Sequence, residues 1–399
     1  MNKYIIAALA LGVALGAVAE DEKTDSVKGF QFTDVKTVKT TSVKDQNRSG
    51  TCWSFSGTSF FEDEVMRQSG DSLDLSEMFS VRHCYDEKAR RYVRNYGSVN
   101  FTPGGQIHDV AYVIEKYGAV PEEVYAGLNY GEKKHDHSEL QAGLEAYLAA
   151  VAKKPGKKLT TAWTKAVDAI LDSYLGALPE EFTYKGKTYT PQSFAKSIGL
   201  NIPDYVSLSS FTHHPFYEEF ALEIPDNWLN KTVINVPMEE MKAAVDNAVE
   251  HGFPVAWAAD VSESGFKWYD GVALLPVEKQ EADLSGTELS RWVTLSDKDR
   301  AAENYNFDSG KVDEVAVTQE MRQEMYDNQT TTDDHGMEIV GIATDQNGKR
   351  YYKVKNSWDH NQKYGGFIYV SEPYFLAKTI NVYMHRDALP KSLAKKIGK

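Results

Sequence analysis

The sequence predicts an α+β fold of two lobes, one helical and one β-rich, with a cleft between them. Three observations carry this reading. A helical pattern opens at Cys52, behind a Ser49-Gly50 turn, and runs through Arg67. The last third alternates in strand fashion around an Asn347-Gly348 turn. Between the two, Ala, Leu and Trp163 recur at helical spacing from Ser138 to Leu178, and 131–232 is expected to be a mainly helical insertion.

Taken in order, the chain opens with Lys3, an uncharged apolar run from Tyr4 to Ala19, and an Ala17-Val18-Ala19 cleavage pattern. Residues 1–19 therefore read as a secretory signal peptide, too short to span a bilayer, and an exported, periplasmic or secreted protein is expected. Residues 20–130 form an N-terminal extension and the helical lobe. Val35 to Thr40 alternates like an edge strand, and a helix begins near Ser76, a candidate cap. Another runs from Ile107 to Tyr117 and is stopped by Gly118. Two helical patterns follow between Ser138 and Leu178, split by Lys153-Lys154-Pro155-Gly156. Lys185-Gly186-Lys187 then turns a small hairpin. Residues 233–399 form the β-rich lobe: a helix from Pro237 to Glu250, a buried strand at Pro254 to Ala259, and a charged surface insertion near 278–328. Strands at His335 to Ala343, Arg350 to Asn356 and Gly365 to Val370 complete it.

Composition excludes several function classes. The 399 residues carry a formal net charge of -14, with 42% hydrophobic and 26% charged residues. A phosphate backbone needs a basic footprint, so no nucleic-acid partner is expected, and no membrane anchor is recognised. Both cysteines, Cys52 and Cys84, are expected to be free, with Cys84 buried. His135-x-His137 and His213-His214 lack a flanking ligand cluster at a recognisable spacing, so neither metal nor cofactor is expected.

The chemistry concentrates on Cys52. A helix N-terminus presents unpaired N–H groups and partial positive charge, which favour a thiolate. A thiolate nucleophile needs a base, and the base needs a partner to fix its tautomer. His335 opens one strand of the hairpin and Asn356 ends the other, so the turn brings them together. Gln46, six residues before Cys52, is placed to donate to an oxyanion.

These segments resemble the papain-like cysteine peptidases. The resemblance lies in Gln46…Ser49-Gly50-Thr51-Cys52-Trp53-Ser54-Phe55-Ser56, Leu75-Ser76-Glu77, Gly104-Gly105, Asp334-His335-Gly336-Met337, Lys355-Asn356-Ser357-Trp358 and Tyr364-Gly365-Gly366-Phe367, in that order. His335 lies roughly 280 residues beyond Cys52, about twice the usual separation, which is similar to the bleomycin hydrolase and bacterial aminopeptidase C branch. So are Val113-Ile114-Glu115-Lys116-Tyr117-Gly118-Ala119-Val120-Pro121 and Val236-Pro237-Met238-Glu239-Glu240-Met241.

The resemblance implies peptide substrates and a two-lobed papain-like fold. It implies Cys52 as nucleophile, His335 as base then acid, Asn356 as its orienter and Gln46 in the oxyanion hole. Gly104 and Gly105 would bind the substrate backbone, and Trp358 would shield the His-Asn bond. A homo-oligomer, a hexamer in that branch, is also implied. Thr51 stands where the branch usually has arginine, and Ser49 where papain-like enzymes place a disulfide cysteine. The branch continues into a tail whose carboxylate holds the substrate amine. Here Lys399 follows soon after Leu389-Pro390-Lys391-Ser392-Leu393, and no such tail is recognised. Aminopeptidase action is the expectation, with endopeptidase or mixed action open beside it, and amide hydrolysis on cell-wall peptides a further option. A silent peptide-binding protein is disfavoured by the intact Gln46, Cys52, His335 and Asn356.

Overall fold

The computed structural model describes residues 28–398; the expected signal peptide lies outside them. The helical lobe is built on α1 (Cys52–Ser69), with α2 (Glu77–Arg94) and α3 (Ile107–Lys116) packed around it. Thirteen consecutive residues of α1, Trp53 to Val65, are buried, the behaviour of a helix enclosed on all sides rather than amphipathic. It is the central rod of the molecule. Ser76 caps α2 as expected, its Oγ accepting the Phe79 N–H at 3.0 Å.

The segment 131–232 contributes α4 (Ser138–Ala152), α5 (Ala162–Leu175) and α6 (Pro191–Ser197), with the hairpin strands Phe182–Tyr184 and Lys187–Tyr189. From Tyr205 onward it turns into strands. These join the main sheet, because β-branched and aromatic residues at Tyr205–Ser209 pair along both edges.

In chain order the strands are β1 (Phe32–Thr37), β2 and β3 (the hairpin just named), β4 (Tyr205–Ser209), β5 (Glu219–Ala221), β6 (Thr232–Asn235), β7 (Val255–Ala259), β8 (Phe266–Lys267), β9 (Val272–Ala273), β10 (His335–Asp345), β11 (Arg350–Lys355), β12 (Phe367–Ser371) and β13 (Thr379–His385). The main sheet runs β5-β6-β4-β13-β7-β10-β11-β12-β9-β8, with β1 added to β10. The long β10 is its spine. Its first half pairs with β7, from His335↔Ala259 to Ile339↔Val255, and its second half with β1. On its other edge it pairs with β11 through the Asn-Gly turn, with an irregularity between Ile339 and Gly341. The helix α7 (Met238–Glu250) buries Met241, Ala244, Val245, Ala248 and Val249 in the core beneath this sheet. The stretch 278–328 forms α8 (Gly286–Trp292), α9 (Asp297–Asn304) and α10 (Gln319–Asp327). Its last helix is not merely surface: Arg322 is fully buried and donates to the carbonyls of Ser210 and Leu376. After β12, α11 (Glu372–Lys378) leads into β13, and α12 (Lys391–Lys396) ends the described chain.

Candidate active site

Two elements meet at the site, the first turn of α1 and the first residues of β10. Gly50 has φ +66, and a Cβ there would sit 2.8 Å from the Pro103 ring, so only glycine fits this turn. Thr51 is buried, with its hydroxyl bonded to Ser49 Oγ at 2.7 Å. Cys52 is thus delivered as the first residue of the helix. Against it lies Gly336, where a Cβ would come within 2.6 Å of Ser56 Oγ and 3.3 Å of the Trp53 Cα. The absence of a side chain lets β10 press onto α1 and sets His335 beside Cys52.

His335 is buried, and its Nε2 lies 2.6 Å from Asn356 Oδ1. Asn356 Oδ1 also accepts the Ser357 N–H at 2.7 Å, which fixes the amide with its oxygen toward the ring. Nε2 is therefore the donating nitrogen, and in the neutral ring Nδ1 is left as an acceptor. The Trp358 ring covers this pair, 4.6 Å from the imidazole centroid, and is itself met by Trp268 and Phe266. Gln46 is stitched to the same strand end. Its N–H donates to the Ser357 carbonyl at 2.9 Å, and its Oε1 accepts the Ser357 hydroxyl at 2.7 Å, which leaves Nε2 free to donate. Three consecutive residues, Asn356, Ser357 and Trp358, thus hold the His335 ring and the Gln46 amide in place. Sequence reading named the first and third; Ser357 carried no signal beyond its place between them.

Cys52, His335 and Gly105 line one cavity of about 20 Å³, room for about one water molecule. Gly105 lies against the Trp53 ring, with a built Cβ 2.9 Å from Cε2. Gly104 is placed differently from expectation. Its Cβ direction is filled by the Asp226 carboxylate, and its carbonyl accepts from Lys88 Nζ, so this glycine is covered rather than open to a substrate. Burial pushes the Cys52 thiol up to about 12. The backbone N–H of Gly336 pulls it down, Asp333 pushes it up, and the Trp53 N–H and Asp226 add smaller effects of the same two signs. Burial brings the imidazole of His335 down to about 4, against the opposite pull of Asn356 and Asp334. Burial therefore opposes the charge that the helix N-terminus favours on Cys52, which is itself only partly buried.

Both cysteines are free, and Cys84 is buried in the helical core. His135 and His137 pack as neutral rings, held down by burial to about 4 and about 3. His213, His214 and Glu223 bring ligand-type atoms within 4.8 Å of one another, but His213 Nε2 already meets Glu223 at 3.1 Å and the rings stack on Phe220 and Tyr326.

Residues 2–285 and 277–399 match the model of the Peptidase C1-like family. The chain is 23% identical over 434 aligned positions to aminopeptidase C of Lactobacillus delbrueckii subsp. lactis, covering 96% of this chain and 90% of that one. It is 24% identical over 395 positions to aminopeptidase C of Listeria innocua, covering 89% and 82%. Among solved structures, PepW from Lactobacillus rhamnosis HN001 superposes with a TM-score of 0.65 at 20% identity, over 92% of this chain and 84% of that one. With this fold shared and nearly the whole sequence matched, the chain belongs to the Peptidase C1-like family and is a papain-like, cysteine-type peptidase.

Proposed function

We propose that the chain is an exported aminopeptidase acting through Cys52, His335 and Asn356. The observation that carries the mechanism is the 2.6 Å bond from His335 Nε2 to Asn356, in a ring that shares its cavity with Cys52. As a peptide enters, the Cys52 proton passes to His335 Nδ1 and Sγ attacks the scissile carbonyl carbon. The oxyanion takes hydrogen bonds from Gln46 Nε2 and the Cys52 backbone N–H. The C–N bond breaks as the imidazolium gives its proton to the leaving amine, and a thioester remains. Water, deprotonated by His335, then attacks the thioester, releasing the carboxylic product and restoring the thiol.

The names of the relatives, aminopeptidase C in two species, favour removal of amino-terminal residues. The apolar leader ending at Ala19 favours export, and amino-terminal sequencing of the mature protein should then begin at Glu20. The activity test compares a peptide bearing a free amine with its N-acetylated twin. Preference for the free amine supports the aminopeptidase reading, equal cleavage makes the enzyme an endopeptidase, and turnover by Cys52→Ala would sink the mechanism.

A further inference from the structure

The cavity beside Cys52 holds two carboxylates that the Cys-His-Asn arrangement does not use. Asp226 comes from the stretch before β6 and Asp333 from the turn before β10, and both line the cavity with Cys52 and His335. Among the described residues neither has a lysine, arginine or histidine within ion-pair distance, and the one cation whose field reaches Asp226 is Lys88. Asp226 accepts from Thr102 Oγ1 at 3.3 Å, and Asp333 from Gln106 Nε2 at 2.7 Å. Gln106 is 2% exposed, lines the same cavity, and leaves its Oε1 without a hydrogen-bond partner.

The surrounding charges are already committed. Lys88 of α2 spends its ammonium on the carbonyls of Thr102 and Gly104. Asp109 of α3 accepts from the Gln106 N–H and from Trp228 Nε1. Asp334 accepts from the Ser262 N–H and the Thr332 hydroxyl. What remains is a small space edged by acceptors and negative charge. A ligand that fits it carries several N–H donors and a positive charge, which is the description of an ammonium group. Asp226 also fills the space over Gly104, so an extended chain stops there.

We propose that Asp226 and Asp333 bind the α-ammonium of the substrate beside Cys52, so that a free amino terminus both sets where the chain is cut and relieves the repulsion that opposes thiolate formation. The inference rests on the reading of Cys52 as the nucleophile of an aminopeptidase. Its electrostatic half follows from the same two groups, since Asp333 and Asp226 both disfavour an anion on Sγ. They also oppose each other: burial, then Asp226, pushes the Asp333 carboxyl up to about 7. An arriving ammonium neutralises both, and the Cys52 proton then moves to His335 against a smaller field.

The test uses Asp226→Asn and Asp333→Asn with two readouts that move in opposite directions. Each variant should lower the ratio of kcat/KM for a free-amine peptide over its N-acetylated twin by about tenfold or more, the usual worth of a charge-assisted hydrogen bond. Each should also speed alkylation of Cys52 by iodoacetamide at pH 7. Cys84 reports folding in the same peptide map, because it stays unmodified while its core is intact. Asp226→Glu keeps the charge and should retain most of the ratio. An unchanged ratio in both Asn variants, or slower alkylation, overturns the proposal. A wild-type enzyme that prefers N-acetylated peptides defeats the aminopeptidase reading. One that prefers the free amine, with Asn variants that share this preference, defeats only the ammonium site.

Discussion

Two acidic pairs, Asp63 with Glu338 and Asp226 with Asp333, are completed differently. Behind the nucleophile, Asp63 of α1 faces Glu338 of β10, both buried. Lys355 of β11 reaches between the lobes to Thr40 Oγ1 at 2.9 Å, Thr41 Oγ1 at 3.0 Å and Ser59 Oγ at 2.7 Å. Ser59 donates its hydroxyl hydrogen bond to Glu338, and the Thr41 N–H donates to Asp63 at 2.8 Å. Burial and the neighbouring Asp63 hold Glu338 protonated. Lys355 makes no direct ion pair with either acid; it reaches Glu338 through Ser59 and acts on Asp63 through its field, and the proton on Glu338 completes the cluster. Beside Cys52, Asp226 and Asp333 have hydrogen bonds, but Lys88, whose field reaches Asp226, gives its ammonium to backbone carbonyls, and among the described residues no hydrogen-bonded chain leads from either acid to a cation. A completed polar network rigidifies a fold, whereas an incomplete one costs stability and persists where a ligand completes it.

The largest expected effect breaks the completed cluster. Lys355→Met removes the only charge that Thr40, Thr41 and Ser59 share and leaves Asp63 buried with no cation. A loss of about 3–5 kcal/mol is expected, read as a lower urea midpoint with an unchanged slope. If stability falls by less than about 1 kcal/mol, the two clusters do not differ as argued. Gly336→Ala comes next. Its new methyl must displace Ser56 Oγ and the first turn of α1, at a cost of about 1–3 kcal/mol. Because the shift moves His335 relative to Cys52, kcat should fall by tenfold or more. Pairing it with Ser56→Ala should recover stability before activity.

A third effect reads the buried acids by pH. Burial pushes Glu62 and Glu77 up to about 8 and Glu122 to about 7, around Lys44. Their folded values lie above the ordinary carboxylate range, so the folded state holds protons that the unfolded chain has lost. The associated stability is complete below about pH 4.5 and disappears as pH rises through 7 to 8. Buried histidines act with the opposite sign: His83, His108 and His137 are held near 3 by burial, and stability is lost as pH falls below about 6.5. Between pH 6.5 and 8.5 only the acids act, and the melting temperature should fall. Glu62→Gln should flatten that fall by up to about 1.4 kcal/mol per pH unit. A profile unaffected by the substitution would place the proton elsewhere.

Cys52, His335 and Asn356 could be picked out in the sequence because each sits at a boundary that short-range chemistry marks. Ser49-Gly50 marks the entry of α1, Asn347-Gly348 fixes the hairpin, and the hairpin joins His335 to Asn356. Gly105 lines the cavity with Cys52, and Trp358 packs on the His335 ring. The covered state of Gly104 was not legible, because Asp226 reaches it from 122 positions away, in a stretch without periodicity. Nor was the opposing push of burial on Cys52: a helix N-terminus is a local property, while the cavity walls come from β7, β10 and α3. The strands after Tyr205 were hidden for a related reason. Their partners, β13 above all, lie more than 150 residues downstream, and short apolar runs do not declare their pairing.

The smallest expected effect is the most discriminating for the comparison. Asp226→Asn preserves size and can keep the bond from the Thr102 hydroxyl, yet it removes a half-buried negative charge that faces Asp333. Burial already pushes the Asp226 carboxyl above its ordinary range, so its ionised form is a cost to the folded state that grows as pH rises. The variant should therefore match the wild type or exceed it by up to about 1 kcal/mol at pH 8, with less difference at pH 5. Coupled to the lost preference for a free amine, that gain is the signature of a group kept for function against stability. A destabilisation above about 2 kcal/mol would instead make Asp226 a structural anchor of the Gly104 loop. The cluster in front of Cys52 would then be as closed as the one behind it.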